Sequence, residues 1–294
     1  MVSASLVKLS AGQLELTLCP SVGGSIARFD YFADDRRHAI LRPCDGLPDH
    51  VLAAASFPLV PYVNRIRGGV FDFDGRTVRL ARNMASDASP LHGQGWLGAW
   101  DVVQLSDDEA TLRFDHPAGE WPWSYAAGQH FKLAANGLSL TLGCTNTSPD
   151  PMPCGLGQHP YFNCSSKTRL QTGVTDVWTI DDHVLPVDKI PATGRFDLSD
   201  RMVCGLDLDH GFGGWGGVAK LSDPAWPYAL AMSSDDARFF QLYSPETGGI
   251  FVVEPVTHAN AALNAPQDQW PELGMRILAP GETMSLRMRL TVDA

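Results

Sequence analysis

The chain is short of basic charge: 22 Lys and Arg stand against 33 Asp and Glu, for a net charge of −11 at pH 7. Nucleic-acid-binding domains neutralise phosphates with clustered Lys and Arg, so this balance argues against a nucleic-acid partner. It also disfavours a phosphorylated substrate unless a local arginine cluster overrides the overall field. No stretch approaches the ~18–20 apolar residues that cross a bilayer, so no membrane association is expected. The segment from Met1 to Lys8 has no basic region leading into an apolar run, which predicts no secretory signal and a cytoplasmic location. The six cysteines (Cys19, Cys44, Cys144, Cys154, Cys164 and Cys204) form no Cys-x-x-Cys pair and no zinc-ribbon spacing. In a chain of this length without a signal they are expected as reduced, mostly buried thiols. No window sustains a helical period over three turns, and neither a fixed repeat nor a low-complexity linker divides the 294 residues. Ser148 to Pro153 is the best place for a boundary, but alternating segments flank it and a loop is expected there.

What recurs instead is alternation of period two, the mark of half-buried strands. Leu14, Leu16 and Leu18 share one face near the start. Phe71 and Phe73 do so before Asp74-Gly75, and Val78 and Leu80 resume after it; Asp-Gly between two such runs predicts a hairpin because both residues tolerate positive φ. Phe131 and Leu133, then Asn136-Gly137, then Leu138, Leu140 and Leu142 repeat the device. Pro280-Gly281 precedes Met284, Leu286, Met288 and Leu290, again alternating with polar residues. With 28 glycines and 21 prolines spread along the chain to make turns, the pattern predicts an all-β fold. The expected architecture is one domain over residues 1–294, a large antiparallel β-sandwich.

Two segments carry the pattern of an acid–base pair. One is Gly157-Gln158-His159-Pro160-Tyr161-Phe162-Asn163; the other is Val253-Glu254-Pro255-Val256-Thr257-His258. Pro160 biases His159 toward an extended backbone. Glu254 follows the apolar run Ile250-Phe251-Val252-Val253, where burial of a carboxylate raises its pKa unless hydrogen bonds compensate. Three further segments complete the set: Asn64-Arg65-Ile66, Leu91-His92-Gly93 and Leu208-Asp209-His210-Gly211-Phe212. In this order and spacing the five resemble the aldose 1-epimerase (galactose mutarotase) family from end to end. Gly23-Gly24 in the first hairpin and Phe-x-x-Asp-Gly after Arg65 fit the same resemblance.

The resemblance implies an extended β-sandwich with an open sugar cleft on one sheet, and a reaction that interconverts the α and β anomers of free aldoses. It implies His159 as general acid and Glu254 as general base, with Arg65, His92 and Asp209 binding the sugar; Arg67 and Asp207 are the neighbours open to confusion with Arg65 and Asp209. Gln241 and Tyr243 are further candidates for the cleft, and Trp96 fits either the core or a sugar-stacking role. The chemistry needs only a base for the C1 hydroxyl and an acid for the ring oxygen, each contributing on the order of 10²–10⁴ in rate, so no cofactor and no metal are expected. The expected partner is a small-molecule sugar, and the protein is expected as a monomer or homodimer. Competing readings are a hexose 6-phosphate 1-epimerase on the same fold, a non-catalytic carbohydrate-binding module, and a zinc hydrolase built from His92, His159, His210 and His258. The last lacks His-x-His or His-x₃-His spacing.

Overall fold

A computed structural model describes residues 6–294. The helical turns among them are short 3-10 segments such as Val51–Ala53 and Ala262–Asn264, as a sequence without a 3.6-residue period requires. Two large antiparallel sheets dominate.

The nine-stranded sheet has Thr283–Asp293, Gly137–Asn146 and Tyr125–Ala134 as adjacent long strands. Asn136-Gly137 closes the hairpin between the last two, with Ala134 opposite Gly137. Along Thr283–Asp293, Met284, Leu286, Met288 and Leu290 are buried and the residues between them exposed, so one face meets the core and the other meets solvent. Asp74-Gly75 likewise turns Val70–Phe73 into Arg76–Arg79. Gly23 and Gly24 form the second turn of the N-terminal four-stranded sheet, between Leu14–Cys19 and Ser25–Ala33, not the first hairpin; that one turns at Gly12.

The eight-stranded sheet runs in the order Pro186–Pro191, Asp176–Ile180, Leu208–Gly213, Phe239–Ser244, Ile250–Val256, Gly157–Gln158, Pro58–Leu59, and Tyr161–Asn163 also pairs with Ile250–Val256. Its strand Ile250–Val256 does not alternate between buried and exposed: from Phe251 to Val256 every residue is buried. Its two faces meet different partners. Phe212, Phe240, Leu242, Phe251 and Val253 join Leu140, Leu142, Leu286 and Met288 of the nine-stranded sheet in the main core. Phe239, Val252 and Val256 point the other way and pack with Phe57, Leu59, Leu91, Trp96 and Tyr161 in a second cluster. Covering both faces of this sheet makes room for polar groups held away from water.

Two cysteines depart from expectation. Cys164 and Cys204 are disulfide-bonded, with Cα atoms 5.7 Å apart, whereas Cys19, Cys44, Cys144 and Cys154 are free. The bond joins the end of Tyr161–Asn163 to the loop ahead of Leu208–Gly213; the two loops meet around Gly249, whose carbonyl accepts from Cys164 N–H at 3.0 Å. Spacing along the chain does not reveal such a meeting. The first four residues of Ser148 to Pro153 form a loop, and the last two begin the strand Met152–Cys154, which pairs with Arg276–Leu278.

Candidate active site

The second apolar cluster surrounds a cleft of about 270 Å³ lined by Leu52, Asn64, Arg65, Met84, Leu91, His92, Trp96, His159, Tyr161, Asp209, Tyr243 and Glu254. All five site residues expected from the sequence therefore meet in one place. Strand register brings three of the polar groups together. Gln241 lies opposite both Gly211 and Glu254, and Tyr243 opposite both Asp209 and Val252. Gln241 Nε2 donates to Asp209 Oδ1 at 2.8 Å. Gly211 leaves room beside this bond, since a Cβ there would stand 3.2 Å from Gln241 Oε1. Gln241 thus ties Asp209 in place, while Tyr243 itself faces the cleft. Asp207 stays outside it, with φ +53° just ahead of the strand.

Arg65 and His92 come from two segments zipped together by bridges between Val60 and Gly93 and between Arg65 and Leu91. Asn64 and His92 both adopt the left-handed conformation. His92 N–H donates to Asn64 O at 3.0 Å, and Asn64 N–H donates back to His92 Nδ1 at 3.1 Å. With Nδ1 accepting, the ring proton of neutral His92 resides on Nε2, which gives the cleft a hydrogen-bond donor. Gly93 has φ +74°, and a Cβ there would come 2.2 Å from Val60 O, so only glycine allows this approach. Arg65 Nε and Nη2 both lie 2.9 Å from Asp87 Oδ2, and Asn260 Oδ1 accepts from Arg65 N–H at 3.1 Å. Arg67 does not share that face: it lies in a 3-10 turn, is exposed, and reaches Asp181 at 3.3 Å.

At the floor, His159 Nε2 stands 3.3 Å from Glu254 Oε1, with the glutamate side chain 3% exposed. The imidazole stacks on Phe57 at 4.5 Å between ring centroids, tilts against Tyr161 at 4.7 Å and meets His92 edge-on at 5.7 Å. Its backbone N–H donates to Phe57 O at 3.1 Å. An exposed His–Glu pair would attract a charge onto each partner; here desolvation wins. Burial holds His159 down at about 3 and pushes Glu254 well above the usual carboxylate range, with Asp209 adding to the rise and Arg65 opposing it. The favoured state is neutral imidazole beside carboxylic acid. Burial also keeps His92 neutral, aided by His159 and Arg65, and raises Asp209 against the pull of Arg65 and Gln241. Glu254 Oε2 and His159 Nδ1 are buried with no hydrogen-bond partner among the described residues.

Trp96 takes the core role, being fully buried against Phe57, and it stands behind the cleft wall. The other two histidines of the hydrolase reading do not join the site. His258 accepts from Val63 N–H at 3.0 Å and places Nδ1 2.8 Å from Ala259 O, while His210 Nδ1 accepts from Asp209 N–H at 3.1 Å. Sequence reasoning misses Phe57, Met84, Asp87, Asn260 and the side chain of Tyr161. Tyr161 does carry a signal, being two residues from His159 and so on the same side of an extended chain.

A sandwich that holds a buried His–Glu pair under a cleft lined by both polar and apolar side chains is of the galactose mutarotase-like class. A crystal structure of a galactose mutarotase-like protein from Clostridium acetobutylicum shares the fold, with a TM-score of 0.84 at 20% identity over 97% of this chain and 94% of that one. The aldose 1-epimerase family profile matches residues 5–291, and the chain belongs to that family. It is 34% identical to the uncharacterized protein YphB of Escherichia coli K12, over 98% of this chain and 99% of that one. A crystal structure from E. coli K12, described as a candidate aldose 1-epimerase, superposes with a TM-score of 0.89 at 31% identity, covering 98% of this chain and 99% of that one.

Proposed function

We propose that the protein interconverts the α and β anomers of a free aldose by opening and reclosing the sugar ring. The observation that carries this reading is the 3.3 Å approach of His159 Nε2 to Glu254 Oε1 at the floor of the cleft. One proton moved along that line converts the neutral pair into imidazolium and carboxylate. In the ionic form Glu254 takes the proton of the C1 hydroxyl as His159 gives one to the ring oxygen, and the C1–O5 bond breaks to leave an open-chain aldehyde. The pair is then neutral, which is the state that burial favours. Desolvation therefore stabilises the protein side of the ring-opened intermediate, at the cost of a harder start from the closed sugar. Rotation about C1–C2 presents the other carbonyl face; His159 then recovers the proton from O5 and Glu254 returns one to O1.

Binding follows from the remaining groups. His92 Nε2–H supplies a donor close to His159, and Arg65, held straight by Asp87, supplies charged donors. Asp209, fixed by Gln241, accepts from sugar hydroxyls, and Leu91 and Met84 offer apolar wall to the C–H faces of the ring. Glu254 Oε2 is buried and has no protein partner among the described residues, so turning the carboxyl toward O1–H breaks no hydrogen bond at that oxygen.

The test is polarimetry of freshly dissolved α-D-glucose, α-D-galactose and an α-pentose with catalytic amounts of protein. Faster decay of rotation than in buffer, to the same endpoint, supports the reading. Rates equal to buffer with every aldose, joined to measurable sugar binding, would make the cleft a carbohydrate-binding module instead.

A further inference from the structure

His92 is held in a backbone state that residues with a side chain seldom adopt, with φ +58°. Such a state persists only where the surroundings enforce it. One edge of its segment is paired: His92 N–H donates to Asn64 O at 3.0 Å, and Ile66 N–H donates to Pro90 O at 3.2 Å. Arg65 and Leu91 are the non-hydrogen-bonded pair between those two bonds, so the N–H and C=O of Leu91 point away from the pairing. On that second edge Leu91 meets no strand among the described residues.

The side chain of Asn83 takes the place of one. Its Oδ1 accepts from Leu91 N–H at 2.8 Å, and its Nδ2 donates to Leu91 O at 2.6 Å and to Gly93 O at 3.3 Å. A carboxamide presents acceptor and donor side by side, as the edge of a strand does. Trp96 Nε1 lies 3.1 Å from the same two carbonyls, but an indole N–H cannot accept from Leu91. A cavity of about 330 Å³, whose lining includes Tyr62, Leu80, Asn83, Pro90, Gly93 and Leu97, adjoins the segment, so close packing does not brace it there. His92 is the residue between the two that Asn83 grips, and its Nδ1 meets Asn64 N–H only while that backbone stays in place.

We infer that Asn83 is a positioning residue for His92: its carboxamide pairs with Leu91 and Gly93 as a third strand would, and so fixes the imidazole that offers Nε2–H to the cleft. The inference rests on the mutarotase reading for what His92 does to a sugar, but not for how His92 is held.

Anomer exchange of an aldose that wild type accepts is measured for Asn83→Ala, Asn83→Asp, His92→Ala and the variant carrying both alanines, with thermal melts to establish folding. Asn83→Ala is expected to lower kcat/KM by at least about tenfold. Asn83→Asp keeps the acceptor for Leu91 N–H but turns an oxygen toward the Leu91 and Gly93 carbonyls, so it should lose as much. With His92 already replaced, Asn83→Ala should change kcat/KM by less than about twofold, because a residue that acts through another has nothing left to act on. Losses that multiply in the double variant, or an Asn83→Ala rate like that of wild type, would overturn the proposal. Should the alanine variant not fold, the aspartate variant, nearly the same in shape, carries the same comparisons.

The ring also gives a readout that needs no turnover. Long-range ¹H–¹⁵N spectra should show His92 as a fixed Nε2–H tautomer in wild type and as an average of the two tautomers in Asn83→Ala. That change, found in a protein that exchanges no aldose, would uphold the positioning role while the mutarotase reading fails. Identical His92 signals in the two proteins would sink the inference whether or not a sugar turns over.

Discussion

The two large sheets use the same antiparallel pairing for different ends. The nine-stranded sheet shows one face to water, and its strand Thr283–Asp293 alternates strictly between buried and exposed. The eight-stranded sheet has its strand Ile250–Val256 buried on both faces, one against the main core and one beneath the cleft. Glu254 stands on that second face, where an alternating sheet would have placed a solvated residue. The difference teaches that the shifted titration of the His159–Glu254 pair comes from covering. The loops bearing Phe57, Leu91 and Trp96 turn what would be a wet face into a dry one, and dryness shifts His159 and Glu254 in opposite directions.

The comparison is sharpened first by a change confined to the scaffold sheet. Leu286→Ala, in the main core, should cost about 2–5 kcal/mol of stability while leaving turnover of the protein that remains folded close to wild type. Denaturant titration alongside the anomer-exchange rate checks this, and an equal loss in both would mean that the sheets are not separable in role.

Next comes the dry face itself. An unfolded histidine takes up a proton near pH 6.5, whereas folded His159 resists protonation down to about 3. Between those values the unfolded chain binds more protons, so the stability from a neutral His159 is complete above about pH 6.5 and is lost progressively as pH falls toward 3. His159→Asn should flatten the fall by up to about 1.4 kcal/mol per pH unit, leaving the shares of buried His92 and His258. Thermal melts across that range read the slope; an unchanged slope would mean that His159 is wet.

A smaller effect is expected at Asp87→Asn, which keeps the shape but removes the counter-ion of Arg65. The KM for a neutral aldose should rise by about tenfold with kcat changed less, and the reverse pattern would place Arg65 in the chemical step. Smallest of all, Ser285→Ala on the exposed face of the nine-stranded sheet should shift stability by no more than about 0.5 kcal/mol in chemical denaturation; a larger shift would show that this face is not free.

Much of the fold and the site is legible in the amino-acid sequence. Alternation about Asn136-Gly137 and before Asp74-Gly75 depends only on neighbours along the chain, so the hairpins are visible there. The five site residues stand out because their segments resemble those of one family in the same order, and the fold gathers all of them in the cleft. What escapes depends on contacts across the chain. Asp87 is 22 residues from Arg65, and Asn260 reaches Arg65 across 195. Cys164 and Cys204 are separated by 40 residues and meet only because two loops close on Gly249. Gln241 reads as a cleft residue by parity, yet its task is to tie Asp209 down, which only the register with Gly211 reveals.

The central claim is that Glu254 exchanges protons with the sugar in partnership with His159, and Glu254→Gln tests it most directly. The amide fills the same space but cannot accept the C1 hydroxyl proton. Anomer exchange of an aldose that wild type accepts is measured with this variant, together with its affinity for the same sugar. A fall in kcat of at least about 10² with affinity nearly unchanged is the predicted result. Turnover near the wild-type rate with affinity lost would contradict the account, making Glu254 a sugar ligand and placing the base elsewhere.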